Sequence, residues 1–212
     1  EQYLPRFAGD GLPVTRTGMA LSIADKLDTI AGIYATGQKP TGTRDPFGLR
    51  RAALGLLRTS IEHGLDLDLQ QLIEQAGAAA LADMARVATG QGKPLGAIDA
   101  DKLAVEVYNY VLERLRAYYV EGTADITVAV EAFDAVLATR PASALDFDAR
   151  LRALVQFLRL PDATSLAAAN KRIANILKKV AEPVREAVDE SQLIDPAEQV
   201  LAEQVVAIAR EV

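Results

Sequence analysis

The stretch Thr17-Gly18-Met19-Ala20-Leu21-Ser22-Ile23-Ala24-Asp25-Lys26-Leu27-Asp28-Thr29-Ile30-Ala31-Gly32-Ile33-Tyr34-Ala35-Thr36 decides the fold class. Turned at about 100° per residue, Met19, Ile23, Leu27, Ile30, Ala31, Ile33 and Tyr34 fall on one arc. Asp25 stands opposite that arc and Asp28 at its edge. The spacing is that of an amphipathic helix, and Gly37 just beyond it is a stop signal. The lead-in, residues 1–16, carries Pro5, Gly9-Asp10-Gly11 and Pro13 and has no period.

The same three- and four-residue spacing recurs along the rest of the chain, and no run alternates with period two. After the loop Gln38 to Arg44, Asp45 reads as an N-cap, with Pro46 in the first turn of a helix reaching His63-Gly64. Further helices are expected at 68–89, 100–121, 125–138, 146–160, 164–181 and from 196 onward. The last opens on Asp195-Pro196-Ala197-Glu198, which has the pattern of a reciprocal capping box. The chain therefore reads as all-α. Thr89-Gly90-Gln91-Gly92-Lys93-Pro94 has little to bury and is the best candidate linker, dividing the chain into modules 1–92 and 93–212.

Composition narrows the chemistry. With 212 residues, half of them apolar, the chain can build one or two real cores. The absence of Cys rules out disulfides, thiolate metal sites and a cysteine nucleophile, and a single His, His63, rules out a multi-histidine metal site within the chain. No apolar run approaches the ~20 residues of a membrane span. Glu1 in place of an initiator Met, with no signal-peptide pattern behind it, points to a cytoplasmic piece of something longer. The net charge of −6 is unevenly placed. Residues 1–95 hold ten cationic and ten acidic side chains, whereas 96–212 hold thirteen and nineteen.

Within that acidic half one stretch runs the other way. Lys171, Arg172, Lys178 and Lys179 are four cations with no acid between them, and with Asn175 they share an arc of about 120°. Leu166, Ala169, Ile176, Leu177 and Val180 line the opposite side, so the helix is expected to be held by an apolar face. The pattern fits a surface for a phosphate backbone. On pattern alone it fits better a solvated helix face whose last lysines complement the dipole. A second candidate is the junction from Gln38 to Arg51, where Arg44, Arg50 and Arg51 surround a helix start. There Asp45 competes for the same N–H groups. Asp25 and Asp28, three apart, could share a cation, but one site needs more ligands than two. His63, beside Gly64 at a helix end, reads as a cap. Of Tyr108, Tyr110, Tyr118 and Tyr119, the first and last follow a core stripe with Leu112 and Leu115, while the others are candidates for stacking on bases. No phosphate loop, nucleophile elbow or metalloprotease motif is present, so no catalytic residue and no metal ligand set is expected.

Three motifs carry a resemblance. They are Tyr3-Leu4-Pro5-Arg6-Phe7-Ala8-Gly9-Asp10, then Ala20 to Ile33 running into Gly37-Gln38-Lys39-Pro40-Thr41-Gly42-Thr43-Arg44-Asp45-Pro46-Phe47-Gly48-Leu49-Arg50-Arg51-Ala52-Ala53-Leu54-Gly55, and Leu166 to Lys179. In this order they closely resemble the β subunit of bacterial tetrameric glycyl-tRNA synthetases. The resemblance implies a heterotetramer in which the α subunit activates glycine with ATP and Mg2+, while the β subunit grips tRNA(Gly), including its anticodon region. It implies that 1–92 is the C-terminal part of an HD-type helical domain. There Asp25 matches the last acidic position of the HD hydrolase pattern, the His and His-Asp positions lying upstream, so Asp25 reads as a relic. It implies that 93–212 is most of a helical anticodon-binding domain, truncated at its C-terminal end. In that frame Lys171, Arg172, Lys178 and Lys179 would hold RNA backbone and Asn175 or Asn170 a base edge. The alternatives are an architectural scaffold and an HD-type phosphohydrolase relic without tRNA contact.

Overall fold

Thr15 starts the first helix: its hydroxyl accepts the N–H of Gly18 at 3.0 Å, satisfying one of the donors a helix start leaves over. In the computed structural model, described for residues 1–7, 9–41, 44–91, 98–121, 124–179 and 190–209, the helices are α1 Arg16–Ala35, α2 Leu49–Glu62, α3 Leu69–Gly90, α4 Ala100–Val120, α5 Val130–Ala138, α6 Ala144–Phe157, α7 Ala163–Leu177 and α8 Pro196–Ala209. Among the described residues, extended pairing is limited to one isolated bridge, Thr41 with Arg44. The all-α reading holds.

The stops follow the sequence closely. Gly37 (φ +76°) and Gly64 (φ +63°) adopt the left-handed conformation just past α1 and α2. At each end a pair of N–H groups returns to the last turn: Gly37 to Tyr34 and Gln38 to Ile33, then Gly64 to Ile61 and Leu65 to Ser60. Asp195 caps α8 as expected, accepting from the Ala197 N–H at 2.8 Å while Glu198 accepts from the Asp195 N–H at 3.3 Å.

Two helix starts are displaced. Asp45 does take helix N–H groups, those of Leu49 and Arg50 at 2.8 and 2.9 Å, but it does so from four residues upstream. Asp45 to Gly48 close a turn first, so Pro46 lies in that turn, and Gly48 enters α2 at φ +67°. α5 begins at Val130 rather than 125, because the Ala124 and Val128 N–H groups bond the carbonyls of Tyr118 and Tyr119 at the end of α4. That folds 124–128 back against α4 before a new helix can start.

Packing separates the chain into Glu1–Leu160 and Pro161–Val212. In the first unit α1 packs on α2, α3 and α4, and the pair α5–α6 packs on α4 and α2. α4 is the axis of this unit: Leu103, Val107, Tyr108, Val111, Leu112, Leu115 and Tyr119 are all buried. Phe147 packs on Phe133 with ring centroids 5.2 Å apart, and on Tyr119 at 6.4 Å. Such aromatic pairs add about 0.5–1.5 kcal/mol each beyond their burial. The expected module boundary at 92/93 lies inside this first unit, and α3 and α4 on either side of it pack together. A compact unit and an inherited module are different divisions, and only the first is a matter of packing. The second unit holds α7 and α8.

Candidate nucleic-acid interface

Ion pairing distinguishes the two units. In Glu1–Leu160 several arginines are held in ion pairs. Arg6 pairs with Asp10, Arg58 with Glu62, Arg116 with Glu113 and Asp134, and Arg150 with Asp146. Arg152 holds Asp125 through both terminal nitrogens, at 2.9 and 2.7 Å, and Asp148 through Nε at 2.7 Å. On α7 and the two residues after it, Lys171, Arg172, Lys178 and Lys179 are exposed and make no ion pair among the described residues.

The helical arc predicted for these side chains is what α7 presents. Lys171, Arg172, Asn175 and Lys179 line one shallow hollow of about 390 Å³ together with Ala168 and Ile176. Lys178 lies outside that lining. Asn175 is exposed and makes no hydrogen bond among the described residues, so its amide donor and acceptor are both available. Three cations and one amide around a hollow can hold a phosphate and still offer hydrogen bonds to a base edge.

The expectation that α7 is anchored by an apolar face is not met. Leu166, Ile176 and Leu177 are 58%, 55% and 47% exposed, Ala169 is exposed, and Val180 lies outside the described residues. The other described helix of the second unit, α8, exposes its own apolar residues too, with Val200, Leu201 and Val205 more than half accessible.

The second candidate is only partly assembled. Arg50 and Arg51 occupy the first turn of α2, whereas Arg44 is exposed beyond the Asp45–Gly48 turn and does not line the hollow that Arg50 and Arg51 share. Two of the tyrosines are closed to bases. Tyr108 and Tyr119 are buried, with their hydroxyls on Pro141 O at 2.7 Å and Asp148 Oδ1 at 2.5 Å. Tyr110 packs tilted on Tyr34 at 5.2 Å under the Arg114 guanidinium, and Tyr118 meets Tyr119 edge-on at 5.0 Å. His63 is the C-cap of α2, and its Nε2 is buried without a hydrogen-bond partner.

Asp25 accepts from Gln2 Nε2 at 2.9 Å. Among the described residues no three His, Cys, Asp or Glu side chains come together as a metal site, so neither Asp25 nor Asp28 belongs to a ligand set. Asp28 instead borders an apolar groove formed with Ile23 and Leu27. Sequence reasoning missed Lys26 and Ser22, both buried on α1. The Lys26 ammonium donates to Ser22 Oγ at 2.7 Å and to Leu4 O at 2.8 Å. Burial pushes its pKa down, against the pull of the neighbouring Asp25 charge. A signal was present: Lys26 lies about 60° from Ile23, inside the apolar arc. No described helix is long and apolar enough to cross a membrane.

The family model described as glycyl-tRNA synthetase beta subunit matches residues 1–138. Among curated proteins, the glycine–tRNA ligase beta subunit of Xanthomonas campestris pv. campestris strain 8004 is 47% identical over 97% of the chain. That of Tolumonas auensis is 48% identical over 98%, and that of Salmonella schwarzengrund 45% identical over 98%. The chain spans 28% of the length of each of these relatives.

Proposed function

The chain belongs to the glycyl-tRNA synthetase β-subunit family, and on that footing we propose that it is a tRNA-binding part of a glycine–tRNA ligase. In this reading it holds tRNA(Gly), including the anticodon region, while an α subunit attaches glycine using ATP and Mg2+. The chain itself supplies no catalytic group. The observation that supports the reading is that the cations of α7 make no ion pair among the described residues and gather with Asn175 around one hollow, whereas several arginines of the first unit, Arg58, Arg116 and Arg152 among them, are neutralised in place.

Chemically the surface suits a looped, single-stranded RNA segment. Lys171, Arg172 and Lys179 line the hollow and meet phosphates, Lys178 adds charge beside it, and Asn175 reads a base edge. Each cation that replaces counterions on a phosphate adds close to one unit to the slope of log affinity against log salt. The acidic excess elsewhere repels RNA from the wrong faces. The division into an HD-type module 1–92 and an anticodon-binding module 93–212 is part of the same proposal.

The test is binding of a labelled tRNA(Gly) transcript across a salt series. The double variant Lys171→Glu, Lys178→Glu should weaken binding and flatten the slope by about two units if both contact phosphate. Unchanged affinity and slope would remove α7 from the interface. A scaffold role has one observation of its own, the exposed Leu166, Ile173, Ile176 and Leu177 on α7. It predicts that the chain binds the α subunit and not tRNA.

A further inference from the structure

An apolar groove of about 770 Å³ runs beside α1 in the first unit. From α1 it takes Arg16, Ala20, Ala24 and Asp28, exposed residues that recur at every fourth position. Residues spaced in this way form one inclined ridge on a helix, each step rising about 6 Å and turning about 40°. The ridge carries a cation at its start and a carboxylate about 18 Å further on, with only two methyl groups between them. Ile23 and Leu27, buried beside it, join the groove to the core.

The two end charges are unanswered within the chain. Neither the Arg16 nor the Asp28 side chain makes a hydrogen bond or ion pair among the described residues. They stand too far apart on one helix to meet each other. A free anion or cation would answer one of them and leave the other, and an apolar molecule would answer neither. Turned end for end, however, the ridge presents the opposite charge at each tip, which is the condition that an isologous contact sets. Two copies of α1 laid antiparallel, centred level with Ser22, bring Arg16 of one beside Asp28 of the other and Ala20 beside Ala24. Both contacts then repeat on the far side of the axis. Alanines at the crossing let the helix axes approach to the short end of the usual range of about 8–10 Å. Leu65, Leu67 and Leu72, which also line the groove and are half-buried, offer the incoming helix apolar contact.

We propose that this groove is a self-association surface: a second copy of the chain packs its α1 antiparallel against the first about a two-fold axis, closed by two reciprocal Arg16–Asp28 pairs across an alanine contact. Apolar burial supplies the attraction, and the paired charges fix the direction and register. The contact depends neither on RNA binding nor on α7.

The experiment follows the oligomeric state of the 212-residue chain by sedimentation velocity over a concentration series, with circular dichroism to check that each variant is folded. The parent chain should form dimers. Arg16→Asp and Asp28→Arg each set like charges against one another twice, so each should weaken dimerisation about tenfold. An equimolar mixture of these two variants should recover the parent affinity, because each chain then supplies the charges that the other lacks. The double exchange, Arg16→Asp with Asp28→Arg in one chain, should recover it as well. Ala24→Tyr, at an exposed position, should give a folded monomer. A parent chain that stays monomeric at every concentration overturns the inference. So does a dimer that neither single variant weakens, which would be built on another face, such as the exposed apolar side of α7. Single variants that weaken the dimer but do not rescue each other show that the contact is not reciprocal, and the inference falls. If the chain is monomeric and Ala24→Tyr abolishes its binding to an α subunit, the groove belongs to that subunit, and the inference falls again.

Discussion

The Tyr119 hydroxyl donates to Asp148 Oδ1 at 2.5 Å, joining α4 to α6 through two side chains that are 0% and 8% exposed. The other Asp148 oxygen accepts from Arg152, which also holds Asp125 in the segment leading to α5. One carboxylate thereby ties together three parts of the first unit.

Tyr119→Phe removes the hydroxyl and keeps the ring on Phe147. Hydrogen bonds to charged groups contribute about 1.5–3 kcal/mol, and Asp148 keeps Arg152, so we expect a loss of about 2 kcal/mol. At this size that lowers the melting temperature by about 4–8 °C. Denaturant unfolding reads it directly, and a change under about 0.5 kcal/mol would show that the bond contributes nothing.

Alkaline pH should destabilise the first unit through its tyrosines. Burial pushes Tyr110 up to about 12, helped by the charge of Asp45. Burial also raises Tyr34 and Tyr119, the latter reinforced by its bond to Asp148. An unfolded tyrosine ionises near 10. Above that pH the unfolded chain binds fewer protons than the folded one, so stability falls as pH rises toward 12 and is untouched by these groups below about 9. Tyrosinate absorbance from them should rise together with loss of helical circular dichroism. Ionisation of all six tyrosines near pH 10 in a fully folded chain would contradict this.

Gly55 lies where α2 meets α1 and the first residues. A Cβ there would stand 2.9 Å from Lys26 Cε and 3.0 Å from the ring of Pro5. The lysine can shift, but the proline ring cannot without moving its backbone, so Gly55→Ala should cost about 1–3 kcal/mol despite the better helix propensity of alanine. An equal or higher melting temperature would show that segment 2–5 is not closed against α2.

Helix identity was legible wherever local rules act alone. Periodicity found α1, Gly37 and Gly64 marked real stops, and the Asp195–Glu198 box forms as spaced. The displaced starts were decided by tertiary or turn geometry: Asp45 reaches α2 across a turn, and 124–128 is captured by carbonyls of Tyr118 and Tyr119. The basic arc of α7 could be read because exposed cations need only helical spacing. Its apolar side could not, because exposure depends on what covers it. The α2 hollow was half legible: Arg50 and Arg51 are adjacent in sequence, but Phe7 joins them only through the packing of segment 5–7, more than forty residues away.

Lys26 turns its buried position into a clock. Its ammonium is enclosed by Ser22 and the carbonyls of Gln2 and Leu4, so an amine-acylating reagent reaches Nζ only when the segment of residues 2–4 lifts off. Once uncovered, it reacts as an ordinary lysine. Labelling at Lys26 should therefore lag far behind that at the exposed lysines of α7, and its rate measures how often the first residues leave their seat on α1.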